Sequence, residues 1–487
     1  MKSNLFAVSL LSLCVLQAGC SLSKPAETVS VEVSANYREI ASENAARWKV
    51  AVPSDALSRG QWWNVFEDDT LNGLIIEASQ ANPSLAVALS RVQEARAVAG
   101  LVEAESRFQL GIGAGPTRLG TADSTQTMLR AQLNASYEVD LFGGLSDNTR
   151  AATLEVMGEE AAYQSVLLAL QSDVAHTYFS LRTLDSEMAI LEDTIKLRRE
   201  SLDMVQRQFD EGDRSELETS QALTELATTQ ASLEAVRRER SVNDHALAVL
   251  LGKPSSSFTF ANAPLVARRV DIPAGLPSEL LERRPDIAQA QRQLAAASAR
   301  IGVAKSAFFP RLVLTASGGF ESSDLSDLFS WSSRSWLLGP LVGTVLNMPL
   351  LDGGRNQANL DKADARYEGA VAAYKNQVLI GFKDVEDSLS AIRTLNAELA
   401  YQDQALASAK RAAELADTRY TNGSTSYFES IDAQRTSLVS RRLQAQVAGQ
   451  RAKAYVGLIK ALGGGWNSAG GQATPVAASN VVPRTEG

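Results

Sequence analysis

Two hydrophobic rhythms run along the chain, and their order predicts its elements. Over residues 129–141 nearly every second residue is apolar: Leu133, Ala135, Tyr137, Val139 and Leu141 share one face, and Gln132, Asn134, Ser136, Glu138 and Asp140 the other. Period two over about a dozen residues predicts a strand long enough to cross a bilayer on a tilt. A hairpin partner is predicted over 108–116, with Phe108, Leu110, Ile112 and Ala114 aligned. Two further strands are predicted over 310–320 (Leu312, Leu314, Ala316, Phe320) and 341–350 (Val342, Leu346, Met348, Leu350). Residues 120–127 and 321–335 read as exposed loops, with Trp331 and Trp336 near a membrane interface. Elsewhere the spacing predicts helices over 70–106, 145–209, 215–250, 278–307, 355–420 and 426–462.

The second half of this pattern repeats the first. Asn82-Pro83-Ser84-Leu85 matches Arg284-Pro285-Asp286-Ile287, and Asp140-Leu141-Phe142-Gly143-Gly144 matches the stretch ending Asp352-Gly353-Gly354. Phe209-Asp210-Glu211-Gly212 matches Tyr420-Thr421-Asn422-Gly423, and Leu251-Gly252 matches Leu462-Gly463. Four matches in order, each at an element boundary, indicate an old tandem duplication. Each long helix holds roughly 65 residues and spans about 100 Å, a length that belongs in a coiled coil or a tube. A return helix and the next opening helix together match one long helix. Gly252, Pro254, Pro264, Pro273 and Pro277 fall at the break between them. Small residues on one face (Ala288, Ala290, Ala295, Ala296, Ala297, Ala299) allow close helix approach. Periodicity alone leaves a tube with a lumen and a plain rod equally open.

The strands decide between them. No segment after the N-terminal leader offers about 20 consecutive apolar residues, so a membrane crossing requires a closed β-barrel. Four strands are too few to close one, since about eight is the usual minimum. Three copies of the chain would supply twelve strands and leave a lumen, and four copies would close too.

Composition removes other function classes. The net charge of −9 leaves no basic excess for nucleic acid. Cys14 and Cys20 are the only cysteines, so no disulfide can staple the body. His176 and His245 lie on separate helical stretches, which argues against a His/Cys metal site. No phosphate-cradling loop or nucleophile–base arrangement appears, so neither catalytic residues nor a cofactor are expected. The N-terminus has a basic Lys2 and a short apolar run, then Gln17-Ala18-Gly19-Cys20. That tetrad resembles a bacterial lipobox, with Gln17 where leucine is usual; the alternative is an ordinary signal peptide with a chance cysteine. Ser21 fits sorting to the outer membrane. The expected organisation is a signal peptide (1–19), a lipidated extended segment (20–69), a first repeat (70–252), an equatorial linker (253–277), a second repeat (278–463) and a disordered tail (464–487).

Trp62-Trp63 with Phe66, Asp69, Leu71, Leu74, Ala78 and Asn82 resembles the opening motif of the outer membrane factors, the TolC/OprM/NodT family. The string Leu280-Leu281-Glu282-Arg283-Arg284-Pro285-Asp286-Ile287 resembles that family's most recognisable segment, and Ile301-Gly302, Phe309-Pro310, Leu350 to Arg355 and Arg419-Tyr420 extend the match. The resemblance implies a mainly α fold with membrane β: a tandem-repeat TolC-like α-barrel plus a trimeric twelve-strand β-barrel, four strands per chain. It implies a homotrimer in outer-membrane lipid, docked with a periplasmic adaptor (a membrane fusion protein) and an inner-membrane transporter, and conducting rather than catalysing. It places a periplasmic gate at Glu429 and Asp432, and hairpin turns with adaptor docking at Gly212 and Gly423. A tip lock is implied at Tyr420 and Glu218, where Thr425 stands in the family's arginine position and Arg214 or Arg419 is left as the substitute. Two other readings make different predictions. A periplasmic adaptor lipoprotein would have one hairpin flanked by soluble β-domains, and a structural coiled-coil lipoprotein would conduct nothing.

The lipobox reading has a direct test. The intact mass of the mature protein should correspond to a chain that begins at acylated Cys20; an unmodified N-terminus would refute the anchor.

Overall fold

The computed structural model describes residues 60–120, 125–266, 270, 283–338, 346–349 and 351–464. The expected signal peptide, Cys20, Pro273, Pro277, residues 341–345 and the tail beyond 464 lie outside the described residues. The chain packs as two units. One holds Ala88–Ala162 and Asp286–Gln377; the other holds the described residues within Glu32–Val87, Tyr163–Pro285 and Val378–Gly487.

Helices follow the predicted order closely. They are α1 (Asp69–Ala81), α2 (Pro83–Glu105), α3 (Gly144–Asp210), α4 (Glu216–Leu250), α5 (Pro285–Ser306), α6 (Arg355–Thr421) and α7 (Tyr427–Ala461). The single helix expected over 70–106 is two, because Pro83 has no N–H to continue α1 and forces the residue before it out of helical geometry. Asn82 accordingly has φ −72° and ψ 123°. The helix expected over 278–307 is likewise broken at Arg284, and α5 starts at Pro285 for the same reason.

The first unit carries the strands β1 (Gln109–Gly120), β2 (Thr125–Val139), β3 (Arg311–Ser322), β4 (Arg334–Leu338) and β5 (Leu346–Asn347). The sheet is antiparallel in the order β1-β2-β3, with β4 and β5 both pairing along the far side of β3. Register sorts the side chains into two faces. Ile112, Leu133, Gly318 and Trp336 form one cross-strand row, and Ala114, Ala131, Phe320 and Arg334 the next on that face. The opposite face carries the rows Gly111–Asn134–Ser317 and Gly115–Arg130–Glu321, and Arg130 and Glu321 pair across strands at 2.9 Å. Among the described residues most of the apolar face is uncovered: Ile112 is 81% exposed, Leu110 65% and Leu133 53%. β4 begins at Arg334, so the loop expected over 321–335 is shorter and Trp336 lies in a strand rather than at a loop end. Serine-rich sequence hides this strand. Trp336 fits there because it stands opposite Gly318, which has no side chain to crowd it.

The same unit sets where helices leave the sheet. Asp140 accepts from the Leu145 and Ser146 amides at 3.2 and 2.8 Å, capping α3, and Asp352 accepts from Gly354 and Asn356 at 2.9 and 2.8 Å, capping α6. Those amide bonds hold the Asp352 carboxyl below the usual aspartate range. Phe142 stacks on Phe309 with centroids 4.6 Å apart at the same junction.

In the second unit the core is an apolar cluster. It joins Trp62, Trp63, Phe66, Leu71 and Ile75 with Val174 and Leu181 of α3 and with Tyr455 and Val456 of α7. The two repeats end alike here. Asn82 donates to the Leu250 carbonyl at 2.8 Å, and Arg284 donates to the Ala461 carbonyl at 3.2 Å while pairing with Asp384 at 3.1 Å. Each thus supplies a donor to a carbonyl that the helix end leaves open. The glycine after each helix turns left-handed (Gly252 φ +69°, Gly463 φ +88°) and packs against backbone. A Cβ at Gly252 would lie 2.5 Å from the Ala81 oxygen, and one at Gly463 2.7 Å from the Arg283 oxygen. The linker after Gly252 is pinned by buried charges. Arg240 bonds Asp185 at 2.6 Å and the Phe260 carbonyl at 2.7 Å, and Asp185 and Asp244 accept from the Ala263 and Phe260 amides.

This arrangement predicts that Gly463→Ala or Gly252→Ala destabilises the protein by about 1–3 kcal/mol, from strained φ and backbone collision together. Gly369→Ala is the control: Gly369 is exposed within α6 with nothing near its would-be Cβ, so it should stabilise by about 0.5–1 kcal/mol. Thermal unfolding followed by the helical circular dichroism signal checks both signs.

Candidate functional site

The two hairpin tips, both within the second unit, are built from one turn used twice. Gly212 (φ +86°) and Gly423 (φ +69°) follow α3 and α6. In the first tip the Gly212 and Asp213 amides donate to Phe209 and Gln208 at 2.9 and 2.8 Å; in the second, Gly423 and Ser424 donate to Tyr420 and Arg419 at the same distances. This is the left-handed helix stop in which glycine has no Cβ to clash. Ser215 and Ser426 then start the return helices α4 and α7.

Equivalent positions in the tips differ chemically. Glu218 and Glu429 both stand third in their helices. Glu218 folds back to complete a capping box with Ser215 and pairs with Arg214 at 3.4 Å. Glu429 is exposed, as is Asp432 one turn on, and neither forms an ion pair among the described residues. Phe428 beside them is 58% exposed. Arg214 occupies the repeat position where the second tip has Thr425. Its guanidinium lies 5.0 Å from the centre of the Tyr420 ring, so Arg214, Glu218 and Tyr420 are brought together inside one chain. Arg419 is exposed and takes no part in this cluster.

Tyr420 is 5% exposed and packs on Tyr427 with centroids 5.2 Å apart, amid Val205, Ala222 and Ile431. Burial raises its phenol pKa, against the opposing charge of Arg214. Its hydroxyl and that of Thr425 are buried without a hydrogen-bond partner among the described residues.

The ties that join the hairpins above the tips are not evident in the sequence. Glu225 of α4 is buried and accepts from Arg198 of α3 and from Arg435 of α7, whose Nε lies at 2.7 Å. Higher up, Arg442 of α7 reaches Glu187 of α3 at 3.1 Å, and Gln446 donates to the same carboxylate at 3.1 Å. Burial pushes the Glu225 carboxyl up, but hydrogen bonds and charge from Arg435 and Arg198 outweigh it and leave the group below the usual glutamate range. The available signal is the charge itself: Glu225 and Arg198 interrupt apolar stripes of their helices, which a coiled coil tolerates only when they are paired.

Two long helical hairpins, and a sheet with one bare apolar face, are what a tube wall and a barrel segment require. The sequence matches the outer membrane efflux protein family over residues 74–253 and 276–464, one span for each repeat. The chain belongs to this family. It is 34% identical over 469 residues to the cation efflux system protein CusC of Escherichia coli O6:H1, covering 94% of this chain and 98% of that protein. It is 35% identical to the solvent efflux pump outer membrane protein SrpC of Pseudomonas putida, covering 82% of this chain and 87% of that one. The solved outer-membrane channel OprN superimposes with a TM-score of 0.83 at 27% identity, covering 92% of this chain and all of that one. The fold is that of the TolC-like outer-membrane channels, and this efflux protein is a channel of the outer membrane.

For this family member the Glu225 tie gives a pH-dependent prediction. The folded pKa lies below the ordinary glutamate value, so the tie is fully present above that value and is lost as pH falls through the folded one. Glu225→Gln leaves the buried Arg198 unpaired, and should cost on the order of 3–5 kcal/mol and remove the acid-side loss of stability. Unfolding midpoints measured from neutral to acidic pH, wild type beside variant, check this; parallel curves would be the contrary result.

Proposed function

We propose that three copies of the chain join their sheets edge to edge and line a single export duct, held shut at the hairpin tips until partner proteins open it. The observation that carries this reading is the sheet of the first unit. It has one apolar and one polar face, and its β1 edge and its β4–β5 edge have no partner strand among the described residues. Unpaired backbone cannot face lipid, so the edges must pair with other copies, and three copies give a barrel wide enough for a lumen. The apolar face then meets outer-membrane lipid, and the Arg130–Glu321 face lines the water-filled side.

Glu429 and Asp432 are the proposed gate. They are exposed, form no ion pair among the described residues and stand one helical turn apart, so three chains bring six carboxylates to one narrow place, which favours cations. Arg214, Glu218 and Tyr420 form the lock beside it. The turns at Gly212 and Gly423 are where a periplasmic adaptor docks, with an inner-membrane transporter behind it. CusC and SrpC are named for chemically unlike cargoes, cations and solvents, yet are nearly equally similar to this chain. Cargo choice therefore sits with the pump, and the duct conducts without cofactor or catalysis. Cys20 supplies the lipid anchor.

Planar-bilayer recording of the purified protein tests the reading. Wild type should form small cation-selective channels, and Glu429→Ala/Asp432→Ala should bring the cation preference close to unity. Folded protein that forms no channels would overturn the duct; unchanged selectivity in the double variant would overturn the gate assignment alone.

A further inference from the structure

The apolar face of the sheet ends in two arginines at the rim away from the helices. Arg334 starts β4 on the row Ala114–Ala131–Phe320–Arg334, one row beyond Ile112–Leu133–Gly318–Trp336. Arg118 stands on the same face near the far end of β1, since it shares parity with Ile112 and Ala114. Both are exposed, and neither forms an ion pair among the described residues. The acid nearest along the strands, Glu321, points to the opposite face and is held by Arg130. Asp324 and Asp327 belong to the loop beyond the strand ends.

An unpaired arginine on a lipid-facing surface is costly at mid-bilayer and nearly free at the headgroup level. Arg334 is also fixed in place. Its Nε donates to the Trp331 carbonyl at 2.8 Å and its guanidinium lies 3.0 Å from the centre of the Trp331 ring. That leaves the two terminal nitrogens as a planar fork with its orientation already set, the geometry that takes phosphate oxygens two at a time. Around it Phe329, Trp331 and Trp336 are 70%, 76% and 74% exposed. Aromatic rings in this number suit the boundary between acyl chains and headgroups.

We propose that this rim binds the phosphate of an anionic lipid headgroup, through Arg334 with Arg118 as the second cation. Charge complementarity and continuity with the lipid-facing surface both select that occupant. Arg334 and its aromatic neighbours lie within one chain. The contribution of Arg118 beside it rests on the proposed barrel closure, which sets the β1 edge of one copy against the β4 edge of the next.

The test compares two lipids on the full-length protein in a neutral detergent, by native mass spectrometry. Diphosphorylated lipid A should be retained about tenfold better than the same lipid with its phosphates removed, as one charge-assisted contact implies. Arg118→Gln/Arg334→Gln should bring that ratio close to one, whereas Arg334→Lys, which keeps the charge, should preserve part of it. Excess inorganic phosphate should not displace the lipid. Equal retention of the two lipids by wild type, an unchanged ratio in the double variant, or displacement by inorganic phosphate would each overturn the proposal. The same spectra report the mass of the assembly. A preference that persists in a non-trimeric species, and is abolished by Arg334→Gln alone, supports the Arg334 fork while removing the barrel closure.

Discussion

A helix that ends inside a protein must find donors for its last carbonyls, and both halves of this chain meet that need with the same device. The side chain just before the next proline reaches back: Asn82 to Leu250, Arg284 to Ala461. The proline that follows breaks the backbone, the freed side chain seals the return helix, and the left-handed glycine beyond it lets the two segments touch. Much of the second unit depends on this joint. It fixes where α4 and α7 stop, and at the first joint it sets where the linker begins its path over the buried Asp185, Arg240 and Asp244. Arginine in the second copy does what asparagine does in the first, and adds an ion pair with Asp384.

The long hairpins are joined differently. Helix packing in an Ala-rich coiled coil is weakly specific about register, whereas a buried carboxylate held by two guanidinium groups is not. Glu225 ties α3, α4 and α7 at one level, and Glu187 ties α3 to α7 at another. Such pairs cost desolvation and add little net stability, but an error in register leaves each charge buried alone, so they act against misalignment. Apolar contacts are lost gradually as two helices slide; these ties are lost all at once.

Most of the fold is legible in the sequence because the two periodicities differ sharply. Helices of 67 residues and a strand alternating over about a dozen cannot be confused, and the duplication lets each half check the other. The departures have local causes. The helix across Asn82 reads as continuous because apolar spacing runs through Pro83 unchanged, while the missing N–H acts on the backbone alone. Trp336 reads as loop because Ser332, Ser333 and Ser335 dilute the pattern of β4, whose fit depends on a glycine in another strand. At the tips, Gly212 and Gly423 announce the turns. The contact of Arg214 with Tyr420 does not show, since it joins residues about 200 positions apart, and Glu225, Arg198 and Arg435 belong to three helices.

Duplication also explains why the two tips differ. A copied hairpin begins with the same turn, the same serine cap and the same acid three residues on, so its chemistry can change only through the residues around that frame. In the first tip Arg214 neutralises Glu218, and the acid is spent on holding its own helix start. In the second, threonine replaces that arginine, Glu429 forms no ion pair among the described residues, and Asp432 adds a second exposed charge one turn along. Three such tips brought together would repel one another at close range. Closure of the proposed gate would therefore have to be held by contacts outside the acids themselves, and the Tyr420 cluster and the Glu225 tie each include residues of α7, Tyr427 and Ile431 in one and Arg435 in the other. The proposed gate would be under electrostatic load when shut, so a partner that released the ties would let the charges drive it open.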